Sequence, residues 1–241
     1  MPFRASTEAS EWIDMSSLLQ YLAERDIRAV IFDLDDTLYP EIQYVKSGFR
    51  AVSEKIKEDF GIDCYELLFK TFHADSKGVY NRALDELGIA YDKEYVAKLV
   101  GTYRNHVPQG LEFYADVLPF LSELKRLNIR VGIITDGRVE GQKSKLSALK
   151  CWELFDSVII TDELGGESYR KPSKKAFEMM CAEFCVRFTQ TAYIGDNPTK
   201  DFYIGADGVF TVRIKRGDAL NLGGGEYYKG VKEQLLVESF T

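Results

Sequence analysis

The segment IFDLDDTLYP, residues 31–40, sets three aspartates within four positions directly after an apolar run. Carboxylates that close repel one another and resist burial. They are tolerable at a solvated strand end, or where positive charge is held beside them. Three more apolar runs end in, or lead to, polar clusters. IRVGIIT (129–135) runs into Thr135-Asp136-Gly137, SVIIT (157–161) precedes Arg170-Lys171-Pro172, and TAYIGD (191–196) ends in Gly195-Asp196-Asn197, with Asp201 following.

Gathered at one place, these groups can transfer a phosphoryl group. Clustered carboxylate oxygens form a hard site of the kind Mg²⁺ prefers. A lysine beside them can hold a phosphate oxygen and restrain a carboxylate. A threonine hydroxyl and backbone N–H groups near Gly137 can bind further phosphate oxygens. One carboxylate can attack phosphorus. A second, two residues on, points elsewhere and can give and take a proton.

The elements that must position these groups alternate in type. Residues 13–24 have helical periodicity, and RAVIFD (28–33) is a short strand buried on both faces. Further strands are predicted at 129–135, 157–161, 191–196 and 209–214. The helices between them include 117–127, 140–149 and 172–185, the last with Pro172 in its first turn; a closing helix is predicted over 229–238. GGG at 223–225 is a loop. Strands alternating with helices of this length predict a parallel α/β sheet, which binds ligands beyond the carboxyl ends of its strands. Between the first and second clusters the pattern is helical throughout. Val45, Phe49, Val52 and Ile56 make one stripe that Gly61 stops, and Val96, Leu99, Val100 and Tyr103 make another. The predicted division is a core of residues 1–39 and 109–241, with a helical domain at 40–108 inserted into it.

Composition narrows the function classes. The chain has 241 residues, 45% of them hydrophobic, with 38 acidic against 31 basic residues and a net charge of -7. That is enough to bury a core. The acidic balance argues against sequence-blind nucleic-acid binding, which needs a basic footprint. No segment approaches the apolar length of a membrane span or a signal sequence. The four cysteines (Cys64, Cys151, Cys181 and Cys185) form neither a CxxC pair nor a zinc pattern and are read as reduced thiols. A cytoplasmic protein fits these features.

The four clusters, DLDDT, the Thr135 run, Lys171 before proline and GDNPTKD, resemble the four ordered motifs of the haloacid dehalogenase (HAD) superfamily of hydrolases. The resemblance covers residues 28–214, and the inserted helices resemble that family's C1 cap. It implies a Rossmann-like parallel core with a helical cap. It also implies a Mg²⁺-dependent phosphatase acting on a small phosphorylated metabolite: a sugar phosphate, nucleotide or phospho-acid. Asp33 matches the nucleophile and a metal ligand. Asp35 matches the acid/base, with its backbone carbonyl a second metal contact. Thr135 matches the phosphate-binding hydroxyl, and Asp136 supplies a backbone N–H. Lys171 matches the lysine that stabilises nucleophile and phosphate. Asp196 matches the acidic metal ligand, and Asp201 a supporting acid. Family dehalogenases lack an acid at the position of Asp35, so its presence points to phosphate esters. A phosphomutase is the alternative within the superfamily. A non-catalytic binding or regulatory protein on the same fold is the alternative outside enzymes, and all motif residues are present against it.

Other residues have plainer readings. Asp36 and Asp162 are read as turn residues, and His106 as packing where the insertion returns to the core, against a substrate contact shared with Arg104. His73 is read as surface. Arg138 either reaches a phosphate or is solvated. Tyr39, Tyr44 and Phe49 either line a leaving-group pocket or pack inside the insertion, and residues 61–65 form a loop that could face the site.

Overall fold

The computed structural model describes residues 15–220 and 225–240. Ile13, Gly223 and Gly224, which the sequence places at a helix start and in a loop, lie outside the described residues. In chain order the elements are α1 (Met15–Glu24), β1 (Ala29–Phe32), α2 (Glu41–Phe60), α3 (Tyr65–Ala74), α4 (Val79–Glu86) and α5 (Lys93–Asn105). There follow α6 (Val117–Arg126), β2 (Arg130–Thr135), α7 (Val139–Ala148), α8 (Cys151–Leu154), β3 (Ser157–Ile160), α9 (Lys175–Phe184), β4 (Thr191–Gly195), β5 (Phe210–Ile214) and β6 (Leu235–Val237).

The six strands form one sheet in the order β3-β2-β1-β4-β5-β6, and every pairing is parallel. Strand side chains alternate between two apolar layers. Val30 and Phe32 face a layer that includes Leu18 and Leu22 of α1, Phe120 and Leu124 of α6 and Leu146 of α7. Ala29 and Ile31 face the other layer, with Phe177 and Met180 of α9. Phe32 meets Phe120, Phe155 and Phe240 edge-on, with ring centroids 6.0–6.3 Å apart. This is the doubly wound α/β architecture that the sequence predicts, and α1 packs on the core of its own chain.

Helices α2–α5 all fall between β1 and β2. They share a separate apolar cluster that contains Val45, Phe49, Val52, Ile56, Leu68, Leu84 and Leu99. The predicted stripe lies on α2, and Gly61 ends that helix in a left-handed conformation with φ 75°, its N–H bonded to Lys57 O.

Two predicted elements differ. Residues 229–238 do not form a helix. Gly230 has φ 73°, and Leu235–Val237 pairs with β5 as a sixth strand. Val237 is buried while Leu236 is exposed, a period of two that three residues were too few to reveal. The helix predicted from Pro172 starts at Lys175. Pro172 instead sits in a turn closed by the Ser173 N–H to Arg170 O bond at 2.8 Å.

Candidate active site

The strand order reverses between β1 and β4, and that crevice is where an open parallel sheet binds its ligand. Asp33 follows β1 and Asp196 follows β4. The Asp33 N–H bonds Ile194 O at 2.9 Å, which pins the first cluster beside the fourth. The next turn is tight. Asp36 takes φ 53°, which aspartate tolerates better than most residues, and its carboxylate accepts from the N–H groups of Glu41 (2.9 Å) and Leu220 (2.8 Å). Asp36 is therefore the turn residue the sequence suggests, and it anchors the start of α2.

Lys171 is the hub of the site. Its side chain is fully buried, with Nζ 2.9 Å from Asp33 Oδ1 and 2.9 Å from Asp201 Oδ1. It also donates to Tyr193 Oη at 2.7 Å, and Tyr193 passes a hydrogen bond on to Asp201 at 3.0 Å. Burial opposes the lysine's charge, but Asp201 and Asp33 outweigh it and hold its pKa well above the usual value. Burial likewise works against charge on Asp33, yet Lys171 and Lys200 keep its carboxyl below the usual range. Lys200 Nζ lies 3.6 Å from Asp33 and 3.4 Å from Asp136.

Asp33, Asp196 and Asp201 each offer a carboxylate oxygen within 4.8 Å of the others. Asp201 accepts the Asn197 N–H at 2.9 Å as well as its bonds to Lys171 and Tyr193. The close approach depends on Gly195, since a Cβ there would stand 2.6 Å from the Asp201 carboxylate. Asp196 is different in kind. Burial, then Asp201 and Asp33, push its pKa up to about 9. A carboxyl so disfavoured as an anion is one that a bound cation would relieve. The donor chemistry suits a hard divalent ion.

Thr135, at the end of β2, is fully buried, and its Oγ1 accepts a hydrogen bond from Gln142 Nε2. The Asp136 side chain does more than the sequence reading allowed. Its Oδ1 accepts from Thr161 Oγ1 at 2.9 Å and from the Lys171 N–H at 3.0 Å, so the carboxylate ties the second cluster to the third. Arg170 clamps Asp162 with two bonds of 2.7 Å, which braces the turn before Lys171.

Asp35 points away from Asp33, into a second set of donors. Tyr39 Oη and Lys145 Nζ meet Oδ1 at 2.6 and 2.7 Å, and Gln142 Nε2 donates to Oδ2 at 3.0 Å. Lys145 also lies 3.6 Å from Glu41, and Glu41 is raised to about 7 by burial and by Asp35. Burial opposes the charge on Lys145, but Asp35 and Glu41 hold its pKa above normal.

The sequence reading passed over Lys145, Gln142, Lys200, Glu41 and Tyr193. One signal was available: Gln142 and Lys145 fall three apart on the α7 face that also carries the buried Leu146, so polar groups occupy a core-facing stripe. Arg138 is half-exposed and only 3.8 Å from Glu140. His106 is buried, bonded through Nδ1 to Tyr103 O at 2.6 Å and packed 4.7 Å from the Tyr44 ring. Burial lowers its pKa. His106 is a packing residue, and Arg104 and His73 are exposed. Tyr39 and Tyr44 join the core layer next to α7. Phe49 packs in the insertion and borders a cavity of about 300 Å³ with Phe72, Tyr80 and Tyr103.

An acid pair after the first strand, with a lysine and a second acid cluster at the sheet's switch point, defines a phosphoryl-transfer class of hydrolase. Comparison with known proteins agrees. Residues 30–207 match the family model described as haloacid dehalogenase-like hydrolase. The glyceraldehyde 3-phosphate phosphatase of Methanocaldococcus jannaschii is 31% identical over 209 residues, 83% of this chain and 90% of that protein. The phosphoserine phosphatase of Thermus thermophilus is 26% identical over 73% of this chain and 83% of its own length. A HAD phosphatase from Thermococcus onnurineus has the same fold, with a TM-score of 0.56 and 22% identity over 89% of this chain and 94% of that one. The chain belongs to the haloacid dehalogenase-like hydrolases. It is an enzyme, a phosphoric monoester hydrolase. Among the described residues no helix is long and apolar enough to cross a membrane.

Proposed function

We propose that the protein is a Mg²⁺-dependent phosphatase that hydrolyses a small phosphomonoester through an aspartyl-phosphate on Asp33. The observation that carries this reading is the Lys171 ammonium, 2.9 Å from both Asp33 and Asp201, within a trio of carboxylates spaced to share one cation. Asp33 and Asp196 would hold Mg²⁺ with the Asp35 carbonyl, and Asp201 supports from behind, since Lys171, Tyr193 and Asn197 already engage it. Bound there, the ion would neutralise charge on the transferring phosphate.

The chain's own residues do the rest. Lys171 keeps Asp33 ionised, so its oxygen is a ready nucleophile. Thr135 and the backbone N–H groups after it bind phosphate oxygens. Lys200 adds a second positive charge next to the attacked phosphoryl group. Asp35 protonates the departing alcohol, then takes a proton from the water that opens the aspartyl-phosphate. The helical insertion, residues 40–108, would act as a cap that closes over the site and excludes bulk water. A covered site suits a small substrate such as a sugar phosphate, nucleotide or phospho-acid. The M. jannaschii relative's name puts triose phosphates first in the panel to be tried.

The test is phosphate release from a panel of small phosphomonoesters, with Mg²⁺ and with EDTA. The expected result is metal-dependent release concentrated on one chemical class. Asp33→Asn should abolish turnover while the circular dichroism spectrum is unchanged. Normal activity in that variant would rule the mechanism out.

A further inference from the structure

Lys145 has no part in the reaction as described above, yet it is one of the most deliberately placed side chains in the molecule. It sits on α7, ten residues after Thr135, with its side chain 7% exposed. Its Nζ lies 2.7 Å from Asp35 Oδ1, 3.6 Å from Glu41 Oε1 and 4.6 Å from the centre of the Tyr44 ring. Burying a flexible ammonium costs free energy unless its partners need it. Here they are an acid of the first cluster and the first residue of the insertion's first helix.

The donors around Asp35 are unequally shared. Oδ1 receives both Lys145 and the Tyr39 hydroxyl. Among the described residues Oδ2 receives only the Gln142 amide, at 3.0 Å. The carboxylate cannot turn over without breaking two short bonds to Oδ1. Its side chain remains 21% exposed, so the less engaged oxygen is the one left to exchange a proton with a ligand.

We propose that Lys145 is a positioning residue for proton transfer: it holds the Asp35 carboxylate with Oδ2 towards the leaving-group oxygen and ties that orientation, through Glu41, to the base of the helical insertion. The proposal rests on the reading of Asp35 as the acid/base. In the first half-reaction a bond forms between Asp33 Oδ and phosphorus, the bond to the alcohol oxygen breaks, and the proton on Asp35 Oδ2 moves to that oxygen. In the second, a water oxygen attacks phosphorus, its proton passes to Oδ2, and the bond to Asp33 breaks. Ester and water become alcohol and inorganic phosphate, and Asp35 ends as it began. A carboxyl misdirected by about an ångström loses much of its value in such a step.

A residue that only stabilised the fold would slow every substrate alike. A positioning residue for the acid must matter most where the leaving group needs a proton. The test compares Lys145→Met with the wild type on glycerol phosphate, whose alkoxide leaves poorly, and on p-nitrophenyl phosphate, whose phenolate leaves unaided. The quantity to read is kcat/KM, which covers the steps up to loss of the alcohol. With Mg²⁺ present, the expected loss is about 10- to 100-fold on the alkyl ester and less than about threefold on the aryl ester, within the usual span of acid–base catalysis. Lys145→Gln, which keeps a donor, should recover part of the alkyl rate and serves if the methionine variant does not fold. Equal losses on both esters, or none on the alkyl ester, would overturn the proposal. If the wild type does not turn over glycerol phosphate, the alkyl ester it hydrolyses best in the panel above takes its place; silence of the wild type across that whole panel would overturn the reaction proposed at Asp33 and Asp35 and this proposal with it, whereas an active wild type with equal losses in the variant rejects the positioning role alone.

Discussion

Lys171 shows how much one side chain can carry. It has no exposed surface and compensates two buried carboxylates at once. Lys171→Met would leave Asp33 and Asp201 facing each other with the charge removed. Breaking a buried pair from one side costs about 3–5 kcal/mol, so a fall in denaturation midpoint is expected together with at least a hundredfold loss of turnover. Chemical denaturation and phosphate release measure the two effects separately. Arg216 offers a matched comparison away from the chemistry. Its guanidinium pairs with Asp116 at 2.7 and 3.0 Å, both side chains are buried, and it reaches Thr37 O in the loop after β1. Arg216→Met should cost a similar 3–5 kcal/mol. Because it braces the loop rather than touching the site, its turnover loss at a temperature where it stays folded should be far smaller than that of Lys171→Met.

At the scale of elements, the insertion depends on how closely α2 and α5 approach. Gly48 on α2 permits this. A Cβ there would lie 2.4 Å from the Tyr103 ring and 3.2 Å from His106, and with Phe49 and Tyr44 flanking that ring it can retreat only towards the cavity it borders. Gly48→Ala gains helix propensity but forces the two helices apart. Overpacking of this kind costs about 1–3 kcal/mol, so a net drop in thermal midpoint is expected; a rise would show that the pair repacks freely. The two misread elements have physical reasons. At Lys175 the helix waits for Lys171 to be delivered to Asp33, so the turn at Pro172 overrides the habit of proline to open helices. At Leu235 a short edge strand is stabilised by a neighbour, β5, which no local pattern reports.

The molecule as a whole concentrates negative charge at the sheet's switch point, and this makes its stability depend on pH. Folding raises the Asp196 pKa to about 9 and that of Glu41 to about 7. Each group keeps its proton in the folded state at pH values where the unfolded chain has lost it. The folded state therefore binds more protons, and stability falls as pH rises, by about 1.4 kcal/mol per unit for each proton held. In EDTA the melting temperature should decline from about pH 6 to pH 9. Saturating Mg²⁺ should flatten that decline, because a cation replaces the proton on Asp196; an identical slope with and without Mg²⁺ would count against the metal site. Much of this was legible beforehand. Apolar runs ending in polar clusters pointed to most of the strands and to phosphate-ester hydrolysis, and they marked Asp33, Asp35, Thr135, Lys171, Asp196 and Asp201 as the residues to propose for it, because chemistry at a strand end needs particular residue types at short spacing. The helices between β1 and β2 were legible too, through periodicity within single helices. Tertiary structure alone decided what surrounds those groups. Tyr193 meets Lys171 across 22 positions, Lys145 meets Asp35 across 110, and β6 finds its place only beside β5. Such contacts depend on which faces the folded chain brings together, and no local spacing encodes that.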